Sequence, residues 1–350
     1  MGKAALILLA GTLSMFFAEV CSGASVLWFA TVWAWLLTFW LYLSHFVLLV
    51  NLALRFKRTS LTALYLWGVL FGLYESWITK VTWAGYIGEK PILGTVLGFA
   101  VCESPIIVLF YHPVMSFIVP ILVLERMSGE ERILPGHRSW LVKTRRNWLI
   151  ALFLVAMSST FLAFGAKGRM LAAAGSILGS VAIMGLLYRL VLRRATGQFS
   201  LQSLELGRRS LGLLIAYVVM LYVLGFFFLL PERIASAPTI LLTVVFYGVV
   251  VALLWLAGPS EAAVAEPEQA RLFGGREAAW LLGLFLVLSA ALTPLRGLDI
   301  VLVLVFYVIV SVVGFGLLVH CAGNVLRGWR ARRRQAEDMR PSTGHTGAPA

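Results

Sequence analysis

The chain has 350 residues, of which 60% are hydrophobic and 13% are charged, and its mean hydropathy is +0.91. Soluble domains carry about 25% charged residues, so this composition excludes an ordinary water-soluble protein and predicts one that folds in a lipid bilayer. The net charge of +13 does not indicate nucleic acid binding, because the basic residues fall in the short gaps between apolar runs. That distribution is typical of cytoplasmic anchoring of membrane helices.

Apolar runs that are long enough to cross a bilayer occur ten times along the chain. A spanning helix needs about 20 mostly apolar residues. By this measure the predicted spans are residues 4–22, 26–54, 61–78, 92–124, 147–166, 170–192, 210–230, 238–257, 278–294 and 299–324. The sequence therefore predicts an all-α, polytopic integral membrane protein with about ten transmembrane helices.

The basic residues are divided unequally between the two sides of the predicted bundle. If the amino terminus is cytoplasmic, 23 of the 29 Lys and Arg residues lie on the cytoplasmic side. This excess follows the positive-inside rule, and a missed or invented span would scramble it. The sequence therefore predicts a multi-pass protein of the cell membrane with both termini in the cytoplasm.

Three regions differ in composition. Residues 1–146 are interpreted as a membrane half that carries the polar candidate site, residues 147–326 as helix hairpins, and residues 327–350 as a basic and then disordered tail. The arginines that open this tail either bind anionic lipid headgroups or serve as the stop-transfer charges of the last helix. They are Arg327, Arg330, Arg332, Arg333 and Arg334.

The stretch from Phe71 to Glu125 concentrates the polar residues that the chain otherwise lacks. A charge at the bilayer centre costs about 2.5–3.5 kcal/mol on insertion scales, so each one calls for a reason. If the fourth span begins near Ile92, Glu103 lies about 16 Å deep, near the midplane. Pro105 is predicted to break the helix there and free a carbonyl oxygen beside the carboxylate. The pattern predicts a proton or cation site at a broken fourth helix.

Two other ionisable residues of this stretch have alternative interpretations. Glu75 of the third span either faces Glu103 across the outer half or is an interfacial residue paired with Lys80. His112, which precedes a second predicted break at Pro113, is half a helical turn out of phase with Glu103. The two converge only if the helix is reoriented between them.

Two ionisable residues precede the stretch. His45 of the second span is predicted near the inner boundary, at the level of His112, where each is either a ligand or a hydrogen-bonded structural residue. Glu19 lies at the outer end of the first span and is interpreted as an interfacial residue. His45 is therefore a candidate site residue together with Glu103, Glu75 and His112, whereas Glu19 is not.

Glycines at GxxxG spacing occur in the predicted third and fourth spans. They are Gly68 and Gly72 in the third span, and Gly94 and Gly98 in the fourth. Small residues at this spacing allow two helix backbones to approach closely. The pattern predicts that these two spans pack against each other.

The sequence lacks the motifs of known intramembrane and nucleotide chemistry. It contains no HExxH, no GxxxxGK[ST] and no GxSxG motif, and its three cysteines form no CxxC pair, so no cofactor or metal is expected. Three functions stay open. They are a transporter or permease-like protein, a membrane scaffold or assembly factor, and an enzyme for a lipid-linked substrate with Glu75 or Glu103 as base and His112 as acid.

Overall fold

The computed structural model describes residues 2–134, 136–194, 198–260 and 270–338. In chain order the helices are α1 (Gly2–Val20), α2 (Ala34–Arg55), α3 (Leu61–Gly72), α4 (Tyr74–Trp77), α5 (Val81–Ala84), α6 (Pro105–Ser128), α7 (Arg138–Leu141), α8 (Arg145–Gly165), α9 (Met170–Arg194), α10 (Arg208–Phe228), α11 (Ala237–Ala257), α12 (Gly275–Leu292) and α13 (Leu298–Asp338). Within these ranges nine helices are long and apolar enough to cross a membrane, namely all except α3, α4, α5 and α7.

The predicted third span is a helix with one interruption. Ser60 begins α3, its hydroxyl accepting the Ala63 amide hydrogen, and a turn at Leu73 separates α3 from α4. Together α3 and α4 cover nearly all of the predicted span, although neither is long enough to cross a membrane alone. The all-α, multi-pass membrane architecture is confirmed.

The prediction of a helix over the first part of the fourth span is wrong. Its opening residues form a loop with a short antiparallel hairpin, in which β1 (Thr95–Val96) pairs with β2 (Phe99–Ala100). Gly94 and Gly98 have φ angles of +72° and +80°, a conformation that favours glycine and does not belong to a right-handed helix. Gly98 therefore lies in the hairpin turn and Gly94 directly precedes β1, so the two glycines are not a helix-packing motif.

Pro105 begins α6 and does not break it. Proline is favoured in the first helical turn because its missing amide hydrogen has no partner there in any case. Glu103 precedes this turn, so it does not lie eleven helical residues below Ile92. The predicted helix break beside Glu103 is therefore wrong, and the helical count from Ile92 that placed Glu103 near the midplane does not apply.

Pro113 changes the winding of α6 but does not interrupt the helix. Residues Pro105–Ile118 form a π-helix, and the Val119 amide bonds to the carbonyl of Val114, five residues earlier. Proline cannot donate a backbone hydrogen bond, and a π-helical segment accommodates that missing donor. The predicted break at Pro113 is therefore a wider helical turn, and α6 continues to Ser128.

The contact between α3 and α6 depends on two glycines. A Cβ atom at Gly68 would lie 2.4 Å from the Pro113 Cα, and one at Gly72 would lie 2.9 Å from the Val108 Cα. These distances are shorter than van der Waals contact, so any side chain would push the backbones apart. The close packing predicted from the first GxxxG pair is confirmed.

The substitution Gly68→Ala should therefore destabilise the protein by about 1–3 kcal/mol, because the new methyl group meets backbone atoms that cannot rotate away. The matched control is Gly248→Ala in α11, where a Cβ atom would meet nothing within 4 Å. That control should be neutral or slightly stabilising, since alanine is the better helix former. Thermal unfolding in detergent compares the two variants, and equal melting temperatures would contradict the prediction.

Helices α1, α2 and α6 form the centre of the bundle. Between 67% and 72% of their most apolar stretches is buried, against 11% to 22% for α9 to α13. The outer helices expose many large apolar side chains, such as Leu171, Phe228 and Trp255, as a lipid-facing surface does. Polar side chains on the central helices consequently face one another and not the lipid.

Candidate functional site

Six polar side chains from four helices meet between the central helices, and we call them the central cluster. Helix α1 contributes one of them, α2 contributes two, α4 contributes two and α6 contributes one. They are Glu19, Tyr42, His45, Tyr74, Glu75 and His112. Three of the four candidate residues predicted from the sequence, Glu75, His112 and His45, therefore come together.

A continuous hydrogen-bonded chain runs through this cluster. The Tyr42 hydroxyl donates to Glu19 Oε1 at 2.7 Å, and the Tyr74 hydroxyl lies 3.1 Å from the Tyr42 hydroxyl. The His112 Nε2 atom lies 3.2 Å from the Tyr74 hydroxyl. These three contacts connect a carboxylate on α1 to an imidazole on α6 through two hydroxyl groups.

The other ring nitrogen of His112 fixes the orientation of the imidazole. Nδ1 lies 3.1 Å from the Ile107 carbonyl oxygen, which can only accept a hydrogen bond, so Nδ1 carries a hydrogen. The carbonyl is five residues earlier, the spacing of a π-helix, and the unusual winding of α6 thus supports this contact. Nε2 is left to face the hydroxyl chain with either a lone pair or a proton.

Glu75 lies beside the end of the chain. Its Oε1 atom is 3.6 Å from His112 Nε2, and its other oxygen accepts the Thr79 hydroxyl. Lys80, the alternative partner predicted from the sequence, instead donates to the carbonyl oxygen of Gly225 at 2.5 Å. The structure therefore places Glu75 in the cluster and not in a surface pair.

His45 borders the chain without joining it. Its Nδ1 lies 2.8 Å from the Leu41 carbonyl oxygen, and its ring stacks on Phe71 with the ring centres 5.4 Å apart. The Tyr74 ring is 5.1 Å away. Its buried Nε2 has no hydrogen-bond partner among the described residues. His45 thus packs against the site and presents one unused nitrogen there.

Glu19 is the least buried member of the central cluster. Glu19 is partly exposed, and the Ser25 hydroxyl also donates to it. Tyr42 and Tyr74 are each 2% exposed, His112 is 4% exposed and Glu75 is 8% exposed. The cluster therefore has one end near the surface and one end in the protein interior.

The same positions of the heavy atoms accommodate two proton arrangements. With His112 neutral and Glu19 protonated, Glu19 donates to Tyr42, Tyr42 to Tyr74, and Tyr74 to His112 Nε2. With His112 protonated and Glu19 ionised, every donor reverses. Each hydroxyl gains one proton and loses one during the change, so the net result is one proton moved between Glu19 and His112.

Glu103 takes no part in this chain. It is fully buried, and its Oε1 atom accepts the Ile92 amide hydrogen at 3.0 Å, which fixes the loop that precedes α6. Its Oε2 atom has no hydrogen-bond partner among the described residues, and no described hydrogen bond joins Glu103 to the central cluster. The predicted meeting of Glu75 and Glu103 is therefore not found, and Glu75 meets His112 instead.

Sequence reasoning missed Glu19, Tyr42 and Tyr74 as site residues. Glu19 was assigned to the interface, and Tyr42 belongs to a run of aromatic residues typical of a lipid-facing belt. Only Tyr74 carried a signal, because it directly precedes Glu75. Spacing along one helix cannot reveal that hydroxyl groups of two other helices meet between it and a carboxylate.

The arginines that open the predicted tail lie on α13, which continues to Asp338. The segment beyond Arg340, for which the sequence predicts disorder, lies outside the described ranges. Arg327 donates to Asn324 at 2.7 Å, and Arg333 pairs with Glu337 at 3.0 Å. Arg332 instead reaches across to α11. The five arginines therefore differ in their surroundings and do not form one uniform patch.

Among the described residues, no group of three or more His, Cys, Asp or Glu side chains is placed to hold a metal ion. The central cluster contains two histidines and two carboxylates, but tyrosine hydroxyls separate Glu19 from His112. Its members are weak acids and bases that are joined by hydrogen bonds.

Comparisons with known proteins agree with the membrane fold. No solved structure matches the chain. A protein of Archaeoglobus fulgidus, described as an uncharacterized protein, is 31% identical over 157 residues, which is 45% of this chain. The match spans about half of that relative, 49% of its length. A family model described as "Uncharacterized membrane protein family" matches residues 8–327, and the chain belongs to this family of membrane proteins.

Proposed function

We propose that the protein is a proton-coupled transporter or permease of the cell membrane whose coupling proton is held by the central cluster. The observation that carries the proposal is the chain of three hydrogen bonds from Glu19 to His112. Ionisable groups inside a membrane bundle are costly, and proton relays in transporters are a main reason for keeping them. The site first expected at Glu103 is accordingly assigned to the central cluster.

Proton movement along the chain supplies the coupling. A proton that enters at the partly exposed Glu19 passes through the Tyr42 and Tyr74 hydroxyls to His112. The imidazolium that results lies 3.6 Å from the Glu75 carboxylate, which stabilises its charge in the dry interior. Proton arrival therefore changes an interaction between α4 and α6, and such a change is able to bias two helix arrangements.

The two alternatives receive less support. A scaffold is favoured when GxxxG faces are free for partners, whereas the glycines of α3 are already used against α6. An enzyme requires Glu75, Glu103 and His112 to face one cavity. Glu103 instead binds the Ile92 amide, so the proposed acid and base pair is reduced to Glu75 and His112 without a nucleophile.

The distribution of basic residues indicates from which side of the membrane protons enter the hydrogen-bonded chain. With 23 of the 29 Lys and Arg residues on the side of the two termini, we place both termini in the cytoplasm. Glu19 ends α1, which begins at the amino terminus, so it lies toward the opposite face. The proposal is therefore that protons enter from outside the cytoplasm.

The proposal is tested by the charge that moves when the external pH is lowered abruptly over proteoliposomes on a solid-supported membrane. This measurement requires no knowledge of the substrate. The unaltered protein should give a transient current, and Glu75→Gln should reduce it about tenfold or more, because an amide cannot balance an imidazolium. The glutamine keeps the size of the side chain and its contact with Thr79.

The matched control is Glu89→Gln, which removes a carboxylate from an exposed loop position on the same side. Its current should equal that of the unaltered protein. A current that is unchanged in Glu75→Gln, or reduced equally in both variants, would remove the central cluster as the coupling site.

A further inference from the structure

Two arginine side chains meet at the end of the bundle that carries most of the basic residues, at the carboxyl end of α11. Arg58, in the connection between α2 and α3, places its guanidinium 5.6 Å from the ring centre of Trp255. Arg332 of α13 donates to the carbonyl oxygen of Leu256 at 2.5 Å and lies over Gly258. The connection between α2 and α3 is also held to the segment that follows α11, because the Ser260 hydroxyl accepts the amide hydrogens of Thr59 and Ser60.

The position of Arg332 is set by helix chemistry. The last carbonyl groups of α11 have no amide partners within the helix and carry a partial negative charge, so a guanidinium binds there favourably. A side chain at Gly258 would meet the Arg332 guanidinium at 3.0 Å, which shows how closely the arginine covers this turn. Arg332 is therefore held in place whether or not an anion is bound.

The Trp255 ring covers one face of the Arg58 guanidinium but does not accept its N–H groups in hydrogen bonds. The Arg58 Nη1 atom is buried and has no hydrogen-bond partner among the described residues. Burial and then the neighbouring Arg332 guanidinium lower the pKa of Arg58 from its ordinary value. Two like charges held near each other, with a donor left unused, are unfavourable unless an anion lies between them.

We propose that Arg58 and Arg332 bind the phosphate group of an anionic ligand, held against the bilayer surface beside Trp255. Guanidinium groups recognise phosphate through paired N–H donors, and a second arginine balances the charge. Trp255 is 73% exposed at the lipid-facing end of α11, where tryptophan commonly marks the headgroup level. This placement favours a lipid headgroup over soluble phosphate as the source of the group.

Only one of the tail arginines, Arg332, belongs to the proposed phosphate site. Among the tail arginines, Arg332 lies near Arg58, whose Nη1 atom has no hydrogen-bond partner among the described residues, whereas Arg333 is already paired with Glu337. A general attraction of basic residues to anionic lipid would treat all of these arginines alike. The proposed site would depend on Arg58 and Arg332 only.

The experiment measures phosphatidylglycerol bound to the purified full-length protein in nanodiscs of phosphatidylcholine with added phosphatidylglycerol, by native mass spectrometry. Arg58→Gln and Arg332→Gln should each weaken retention about tenfold, as expected for the loss of a charged hydrogen bond. Arg58→Lys and Arg332→Lys, which keep the charge and lose the paired donors, should also weaken it. Arg330→Gln, at an exposed position on α13, is the control and should retain the lipid.

A second arm uses phosphatidylcholine alone with inorganic phosphate, and reads the melting temperature. If inorganic phosphate raises the melting temperature of the unaltered protein but not that of the Arg58→Gln variant, the phosphate site is supported. The natural ligand is then a soluble phosphate and not a lipid headgroup. Retention of phosphatidylglycerol that is equal in the Arg58, Arg332 and Arg330 variants, with no response to phosphate, would overturn the proposal.

Discussion

Replacing Tyr42 with phenylalanine is expected to stop proton movement between Glu19 and His112. The Tyr42 hydroxyl contacts Glu19 at 2.7 Å and is the link between Glu19 and the groups that lead to the His112 imidazole. Phenylalanine keeps the ring and removes this link. A positioned proton-transfer group contributes about 10²- to 10⁴-fold to a rate, so the pH-jump current should fall at least about a hundredfold. The measurement is the same charge displacement on solid-supported membranes.

Tyr74→Phe should have a smaller effect than Tyr42→Phe. Without the Tyr74 hydroxyl, His112 Nε2 still lies 3.5 Å from the Tyr42 hydroxyl, at the limit of a hydrogen bond. A weak direct path therefore stays open, and part of the current should remain. A larger loss of current in Tyr42→Phe than in Tyr74→Phe is expected if protons move along the hydrogen-bonded chain. A general loosening of the bundle would not produce this difference.

Tyr65→Phe provides the matched control for both tyrosine variants. Tyr65 lies on α3, is buried, and donates to the carbonyl oxygens of Leu109 and Gly314 at 2.8 and 3.1 Å, away from the chain. Its loss should lower the free energy of unfolding by about 1–3 kcal/mol and leave the current unchanged. If Tyr65→Phe reduces the current as much as Tyr42→Phe, the effect is structural and the proton chain is refuted.

The membrane architecture could be predicted because lipid imposes it residue by residue. Each spanning helix must be apolar for about 20 residues and must satisfy its own backbone hydrogen bonds, and both requirements are visible in the local sequence. Nine of the ten predicted spans correspond to long apolar helices, and the tenth is the pair α3 and α4. The interruption at Leu73 was not visible, because no proline or glycine occupies that position.

The error in the fourth span has a physical cause. Residues 92–101 are apolar enough to enter a membrane, but a turn at Leu97 and Gly98, which both have positive φ angles, folds them into a hairpin. Hydropathy does not distinguish an apolar loop packed on other helices from a helix in lipid. The depth of Glu103 was counted along this segment, so the error in the element carried over to the site.

Half of the central cluster could be predicted because rare residues stand out in an apolar chain. Glu75, His112 and His45 were conspicuous, whereas Tyr42 was one aromatic residue among many and Glu19 lay near a helix end. Their meeting depends on how α1, α2, α4 and α6 cross. That information lies in contacts between residues far apart in sequence, such as Glu19 with Tyr42 and Tyr74 with His112.

A second buried pair holds the opposite end of α6 and should matter for stability alone. His137 Nδ1 lies 2.8 Å from Glu125 Oε2, and its Nε2 lies 2.7 Å from the Thr59 carbonyl oxygen. Both side chains are fully buried, and Glu125 also accepts the Leu134 amide hydrogen. Both ring nitrogens thus have oxygen partners, and the imidazole joins Glu125 to the connection that precedes α3.

The variant His137→Ala should destabilise the protein by about 3–5 kcal/mol, because it leaves the buried Glu125 carboxyl group without its hydrogen-bond partner. Glu130→Gln is the control, since that carboxylate is 48% exposed and pairs with Arg126 at 3.5 Å, a contact worth about 1 kcal/mol or less. The contact between Glu125 and His137 is already lost in His137→Ala, so adding Glu125→Gln should cost less than it does in the unaltered protein, and the double variant should be more stable than the sum of the single effects predicts. Unfolding titrations with sodium dodecyl sulfate measure the free energy of each variant, and additive effects would show that the two side chains are not coupled.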